Sequence, residues 1–109
     1  ATLSYQYMTE PVINSDEQLN RIAQTVVTKL YGKESLITPA PLMGSEDFSW
    51  FGKDGIPYIY GFVASHNKDW GYMYGNHHEK YDVDETILHR GAAVAAQFAA
   101  DYLAETAQQ

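Results

Sequence analysis

The order of periodicities along this chain predicts an α/β fold, a sheet flanked by helices and closed by a long alanine-rich helix. Three observations carry that prediction. Side chains alternate from Ala1 to Met8, with Leu3, Tyr5 and Tyr7 on one face. Apolar positions between Leu19 and Leu30 recur at helical spacing. A run rich in Tyr, Ile, Phe and Val, Pro57 to Ala64, lies between two helix-like stretches, and alternation of the two kinds of segment favours α/β architecture.

Taken in order, Ala1 to Met8 reads as a half-buried strand, which Glu10-Pro11 ends. Ser15 stands three residues before Gln18, a capping-box spacing, so a helix is expected to start there. Leu19, Ile22, Ala23, Val26, Val27 and Leu30 draw one apolar stripe on it, and Gly32 is placed to close it. Leu36-Ile37-Thr38 is short enough for a buried strand, and Pro39-Ala40-Pro41 must leave any sheet interior. Gly44 to Ser49 suggests a turn into a short helix, capped by Ser45 and stopped by Gly52. Pro57 to Ala64 is the best internal strand, with Gly61 as a bulge or point of close approach. Ser65 to Asn76, with Trp70, Tyr72, Met73 and Tyr74, reads as a loop that packs. Asp82 with Glu85 offers a second cap, and Ile87, Gly91, Val94, Ala95, Phe98 and Tyr102 form the expected buried stripe of the closing helix.

Composition bounds the chemistry. At 109 residues and 45% hydrophobic, the chain builds one globular core. Seven Lys and Arg against 14 Asp and Glu give a net charge of -7, which leaves no basic surface for tracking phosphates, so nucleic acid is an unfavoured partner. Without cysteine, any metal must be held by His, Asp and Glu. The apolar stretch from Gly91 to Ala100 is about half the ~20 residues of a membrane span, so no membrane partner is expected. No signal peptide is recognisable, a cytoplasmic setting is favoured, and a start at Ala1 fits either Met removal or the beginning of a fragment.

Two clusters could carry chemistry. His77-His78-Glu79-Lys80-Tyr81-Asp82-Val83-Asp84-Glu85 joins two imidazoles to four acids, and neutral imidazole is the commonest metal ligand. Adjacent histidines rarely ligate one ion, so at most one of His77 and His78 is a candidate; alternatively the stretch is a solvated loop whose acids favour a helix N-terminus. Gly44, Ser45, Glu46 and Asp47 form the second cluster, where a glycine turn can offer N–H groups to a carboxylate or simply cap a helix. His66 follows the run Pro57 to Ala64 and would line a site at a strand's carboxyl end; His89 lies within the last helix and reads as structural. No G-x-S-x-G elbow signals serine catalysis.

The order Met43-Gly44-Ser45-Glu46-Asp47-Phe48-Ser49, then His77 eight residues before Glu85 with Tyr81-Asp82-Val83-Asp84-Glu85 between, then Leu88-His89-Arg90-Gly91-Ala92, resembles the carboxyl-terminal part of the aminoacylase and carboxypeptidase family of two-zinc metallopeptidases. The branch it looks most like is the N-acyl-amino-acid amidohydrolases, including hippurate hydrolase and the auxin-conjugate hydrolases. Glu79 and Lys80 depart from the family's segment around proline. The resemblance implies a zinc-peptidase-like catalytic domain of which this chain is roughly the last quarter to third. Residues 1–12 would be the last strand of an inserted lid or dimerisation domain, and 13–109 the returning catalytic segment. His77 would be a ligand of one of two divalent ions, zinc in the family; His78 matches a position that is not a ligand; Gly44 to Asp47 would line the substrate side. The family's first His ligand, bridging Asp and Glu-Glu pair fall upstream, so no catalytic residue is expected here. The implied reaction is hydrolysis of an N-acyl amino acid or small peptide, with the isolated chain inactive and binding metal weakly. A non-catalytic interaction module that keeps the α/β half-fold, pairing with itself or a partner through an exposed sheet edge, is the alternative.

Overall fold

The structure, a computed structural model, describes residues 1–71 and 74–107. Among them there is no strand and no sheet; the regular elements are three α-helices, α1 (Glu17–Tyr31), α2 (Trp50–Lys53) and α3 (Leu88–Thr106), with single 3-10 turns at Lys33–Ser35, Asp47–Ser49, Lys68–Trp70 and Glu85–Ile87. The chain divides into two compact units, Ala1–Tyr60 and Gly61–Gln109. No helix among the described residues is long and apolar enough to cross a membrane.

The predicted α/β fold is therefore corrected. Alternation and β-branched content favour an extended backbone, but a strand exists only when a neighbour takes up its N–H and C=O groups. None does so here: Leu3 is 91% exposed and Ile37 74%, and the runs at Ala1–Met8, Leu36–Thr38 and Pro57–Ala64 carry no ladder. With no sheet among the described residues, the sheet edge expected to pair with a second copy is absent too, as is the strand end beside which His66 was placed.

In the first unit α1 forms as its stripe predicts. Leu19, Ile22 and Val26 are its buried side chains and the only buried hydrophobic ones among the described residues. The cap is Asp16 rather than Ser15: its Oδ1 accepts the Leu19 N–H at 2.8 Å, so the helix begins one residue later. Glu17 and Lys29 sit at the ends where their charges oppose the helix dipole. Gly32, at φ +86°, ends the helix as expected, its N–H donated to the Thr28 carbonyl.

An aromatic cluster in this unit gathers on Phe48, whose ring meets Phe51 edge-on at 4.9 Å, Tyr58 at 5.6 Å and Tyr60 at 5.5 Å. A Cβ at Gly52 would collide with the Tyr58 ring, so the short α2 needs glycine there for close approach.

In the second unit α3 forms over 19 residues, yet it has no fully buried residue. Ile87, Gly91, Val94 and Phe98 are half-covered, whereas Ala95 and Tyr102 are exposed, so the predicted buried stripe is half realised. Gly91 lies against Val63, whose methyl would stand 3.3 Å from an added Cβ. In the loop expected to pack, Trp70 and Tyr74 are exposed and Tyr72 and Met73 lie outside the described residues.

With so small a buried set, single core truncations weigh heavily. Ile22→Ala is expected to cost about 2–5 kcal/mol, whereas Ile37→Ala stays within about 0.5 kcal/mol; urea unfolding followed by circular dichroism reads both.

Candidate functional site

The stretch Gly44, Ser45, Glu46 and Asp47 leads into the 3-10 turn Asp47–Ser49. The cap of that turn is the Glu46 carboxylate, not Ser45: Oε1 accepts the Phe48 N–H at 3.3 Å. Its other oxygen accepts the Tyr60 hydroxyl at 3.2 Å. Burial, then this bond and the nearby carboxylate charge, push the Tyr60 phenol above its ordinary range, so it stays protonated and donating. Tyr60 is held in turn by Asn14, whose side-chain amide accepts the Tyr60 N–H and donates to the Tyr60 carbonyl, both at 2.8 Å. The Tyr58 hydroxyl accepts the Ile13 N–H at 2.9 Å. Side chains thus supply what a neighbouring strand would have supplied to this extended segment.

Gly44 does not adopt the left-handed conformation that a tight glycine turn would need, and open space surrounds it. Ser45 and Asp47 are exposed. Among the described residues the backbone N–H groups from Gly44 to Asp47 donate to no other group. Ser49, by contrast, is 1% exposed with its Oγ unpartnered.

In the second unit the two adjacent histidines have different fates. His78 is committed: its ring stacks on Tyr74 at 4.3 Å and 16°, and its Nδ1 accepts the Lys80 N–H at 3.0 Å. The Lys80 ammonium lies 5.8 Å from the Tyr74 ring centre. His77 is exposed, its imidazole makes no hydrogen bond among the described residues, and its φ of +70° is the only positive value outside glycine among them. A non-glycine residue in that region is uncommon and persists where its surroundings over-determine it. His77 is the third residue of the turn from Gly75 to His78, closed by an N–H to carbonyl bond of 3.3 Å, the position at which a type II turn has positive φ; a second turn, from His78 to Tyr81, follows, closed at 2.9 Å.

Of the acids that follow, Asp82 turns back on the Val83 N–H and does not cap the helix. Asp84 does the capping and is 7% exposed, the one buried charged side chain among the described residues. Its Oδ1 accepts the Thr86 N–H at 3.0 Å and the Thr86 hydroxyl at 2.6 Å, and its Oδ2 accepts the Asn67 amide at 2.8 Å. The Asp84 N–H is donated to the Ser65 carbonyl. The Thr86 hydroxyl and then the Asn67 amide hold the Asp84 carboxyl below its ordinary range, against the opposing effect of burial and with help from the Arg90 charge. His66 and His89 are exposed and lie in this unit.

His77 fits a metal ligand: it is accessible and its ring nitrogens are uncommitted, which those of His78 are not. One imidazole is not a metal centre, and the described residues hold no group of three or more His, Asp or Glu placed to share an ion. Further donors would come from outside them. Long-range partners such as Asn14 with Tyr60 and Asn67 with Asp84 escape a reading by local spacing, because they are 46 and 17 positions apart.

Comparison with known proteins gives a consistent match. The model of peptidase family M20/M25/M40 matches residues 1–101. IAA-amino acid hydrolase ILR1-like 2 of Arabidopsis thaliana is 35% identical over 99 residues, covering 91% of this chain and 22% of that protein. ILR1-like 4 of the same plant is 36% identical over 95 residues, 87% of this chain and 21% of the relative. Thermostable carboxypeptidase 1 of Saccharolobus solfataricus is 30% identical over 102 residues, 94% of this chain and 25% of the relative. The chain thus spans between a fifth and a quarter of the length of these relatives. No solved structure matches it.

The lowered Asp84 pKa has a defined sign in stability. A carboxyl depressed in the folded chain stabilises it above the ordinary carboxylate range, and that contribution is lost as pH falls through the depressed value. Asp84→Asn is expected to flatten this part of the acid limb, as acid titration of helicity in the two chains would show; an unchanged limb would remove Asp84 as its source.

Proposed function

This chain belongs to peptidase family M20/M25/M40, and from that we propose that it is part of a metal-dependent amidohydrolase or peptidase acting on N-acyl amino acids or small peptides. The relatives named as IAA-amino acid hydrolases and a carboxypeptidase support the reaction class. The observation that carries the residue assignment is His77, an exposed and uncommitted imidazole on left-handed backbone at the place where the family motif has its histidine.

In this reading His77 is one ligand of a centre of two divalent ions, zinc by family resemblance. The chemistry such ions supply is Lewis acidity at the scissile carbonyl and a lowered pKa of water. His78 holds its neighbour's turn through Tyr74 and Lys80 rather than ligating. Gly44, Ser45, Glu46 and Asp47 line the substrate side: their open N–H groups suit a carboxylate, and Glu46, pinned between Phe48 and Tyr60, keeps that stretch in place. The general base and the remaining ligands lie outside this chain, so the 109 residues alone are inactive and bind metal weakly. Residues 1–12 belong to the smaller inserted domain and 13–109 to the catalytic one, in a cytoplasmic protein. A non-catalytic interaction module is the second reading, favoured by the exposure of Leu3, Ile37, Met43 and Phe62.

The test is hydrolysis of N-acyl amino acids by the product of the whole reading frame that contains these residues. Chelation is expected to abolish it, and His77→Ala to lower kcat/KM by at least about 100-fold, the upper end of what loss of a ligand's supporting partner costs. Full activity in His77→Ala would remove the ligand assignment, and no hydrolysis of any acyl amino acid or dipeptide would leave the interaction module.

A further inference from the structure

We propose that Tyr60 is a positioning residue: its hydroxyl, by holding Glu46, makes Glu46 rather than Ser45 the cap of the turn Asp47–Ser49 and so keeps the Ser45 side chain uncommitted. The functional half of the inference rests on Gly44 to Asp47 lining the substrate side, as proposed above.

Local chemistry favours the other cap. A serine oxygen sits next to Cβ and reaches the N–H groups two or three residues on with little loss of freedom, whereas a glutamate must fix a long side chain to do the same. With Ser45 as the cap the turn would begin one residue earlier, Glu46 would turn helical, and the serine oxygen would accept the Asp47 or Phe48 N–H. Neither is found. Glu46 keeps extended backbone, φ -147° and ψ 126°, and its Oε1 accepts the Phe48 N–H at 3.3 Å. Ser45 is exposed, and its hydroxyl makes no hydrogen bond among the described residues.

What reverses the local preference lies 14 positions further along the chain. The Tyr60 hydroxyl donates to Glu46 Oε2 at 3.2 Å, so the carboxylate is held from outside the turn and the freedom it would lose by capping is already gone. Tyr60 is itself anchored. The Asn14 amide accepts its N–H and donates to its carbonyl, both at 2.8 Å, and its half-buried ring stands 5.5 Å from that of Phe48. The hydroxyl and the ring are separable, because phenylalanine at this position removes the bond to Glu46 and keeps the packing. A serine hydroxyl left out of the cap donates to one group and accepts from another, which suits the amide and carboxylate of an N-acyl amino acid.

The experiment uses the full 109-residue chain. Extended backbone at Glu46 gives a strong nuclear Overhauser peak from Glu46 Hα to the Asp47 amide proton and a weak one between the two amide protons, and helical backbone reverses the two. The unchanged chain is expected to show the first pattern and Tyr60→Phe the second. Adding Ser45→Ala to Tyr60→Phe should restore the first, since the competing cap is gone. A Glu46 that stays extended in Tyr60→Phe overturns the proposal, ring packing alone then setting the cap; so does a double variant that stays helical there, because Ser45 is then not the competitor. In the product of the whole reading frame, Tyr60→Phe is expected to raise KM for N-acyl amino acids about 3- to 10-fold, the worth of one hydrogen bond, with the loss falling on KM rather than on kcat. A KM that stays put while the peaks reverse, or a loss confined to kcat, removes the substrate-side reading and the function given to Tyr60 with it. Peaks that do not reverse remove Tyr60 alone and leave that reading standing.

Discussion

An extended backbone with no neighbouring strand leaves its N–H and C=O groups open, and the way this chain meets that constraint shapes everything around it. Where a ladder would serve, side chains serve instead. The Asn14 amide pairs both backbone groups of Tyr60, imitating one rung of a sheet. Asp84 and Asn67 act alike in the second unit, joining the Ser65–Asn67 stretch to the entrance of α3. Each bond of this kind is worth about 0.5–1.5 kcal/mol, somewhat more where an ionised carboxylate accepts. Three buried hydrophobic side chains on α1 add a small core. Stability here is distributed among polar clasps and one aromatic cluster rather than concentrated in a packed interior.

The same clasps determine which groups are left for chemistry. Glu46 carries two acceptor duties, to Phe48 and Tyr60, and so positions its stretch rather than offering a free carboxylate. Asp84 is wholly engaged. Of the adjacent pair, His78 spends its Nδ1 on Lys80 and its ring face on Tyr74, which leaves His77 available. The two neighbouring imidazoles thus differ by their contacts, His78 being engaged within its own turn while His77 stands on left-handed backbone with no hydrogen bond among the described residues. The relatives are hydrolases, and the donors among the described residues are too few to hold an ion by themselves.

How much of this could be read in advance depends on the range of the interaction. The α1 stripe and its Gly32 terminus were legible, since both depend on residues within one or two turns. The cap was off by one position because Ser15 and Asp16 both satisfy the same local rule, and only the geometry of the entering chain chooses between them. Likewise Glu46 displaced Ser45, and Asp84 displaced Asp82. The predicted sheet failed for a different reason. Period-2 alternation describes what one strand would present, and says nothing of whether a second strand lies alongside. The ordered motifs at Gly44–Ser49 and His77–Glu85 pointed to the family without any structure, but the uncommitted state of His77 did not appear in them.

By itself the sequence determined the helical segments, the acidic and cysteine-free character that leaves only nitrogen and oxygen donors, and a family resemblance carried by two ordered motifs. Each of these is a property of neighbours along the chain or of composition. Tertiary structure decided that the extended runs stay unpaired, that Tyr60 and Asn14 meet, that Asp84 is buried against Asn67, and that His77 rather than His78 remains free. The meetings of Tyr60 with Asn14 and of Asp84 with Asn67 rest on contacts between residues 46 and 17 positions apart, whose free energy depends on what each group would otherwise lose to water, and no local pattern of residues encodes that comparison; the His78 contacts are local, but their geometry is not.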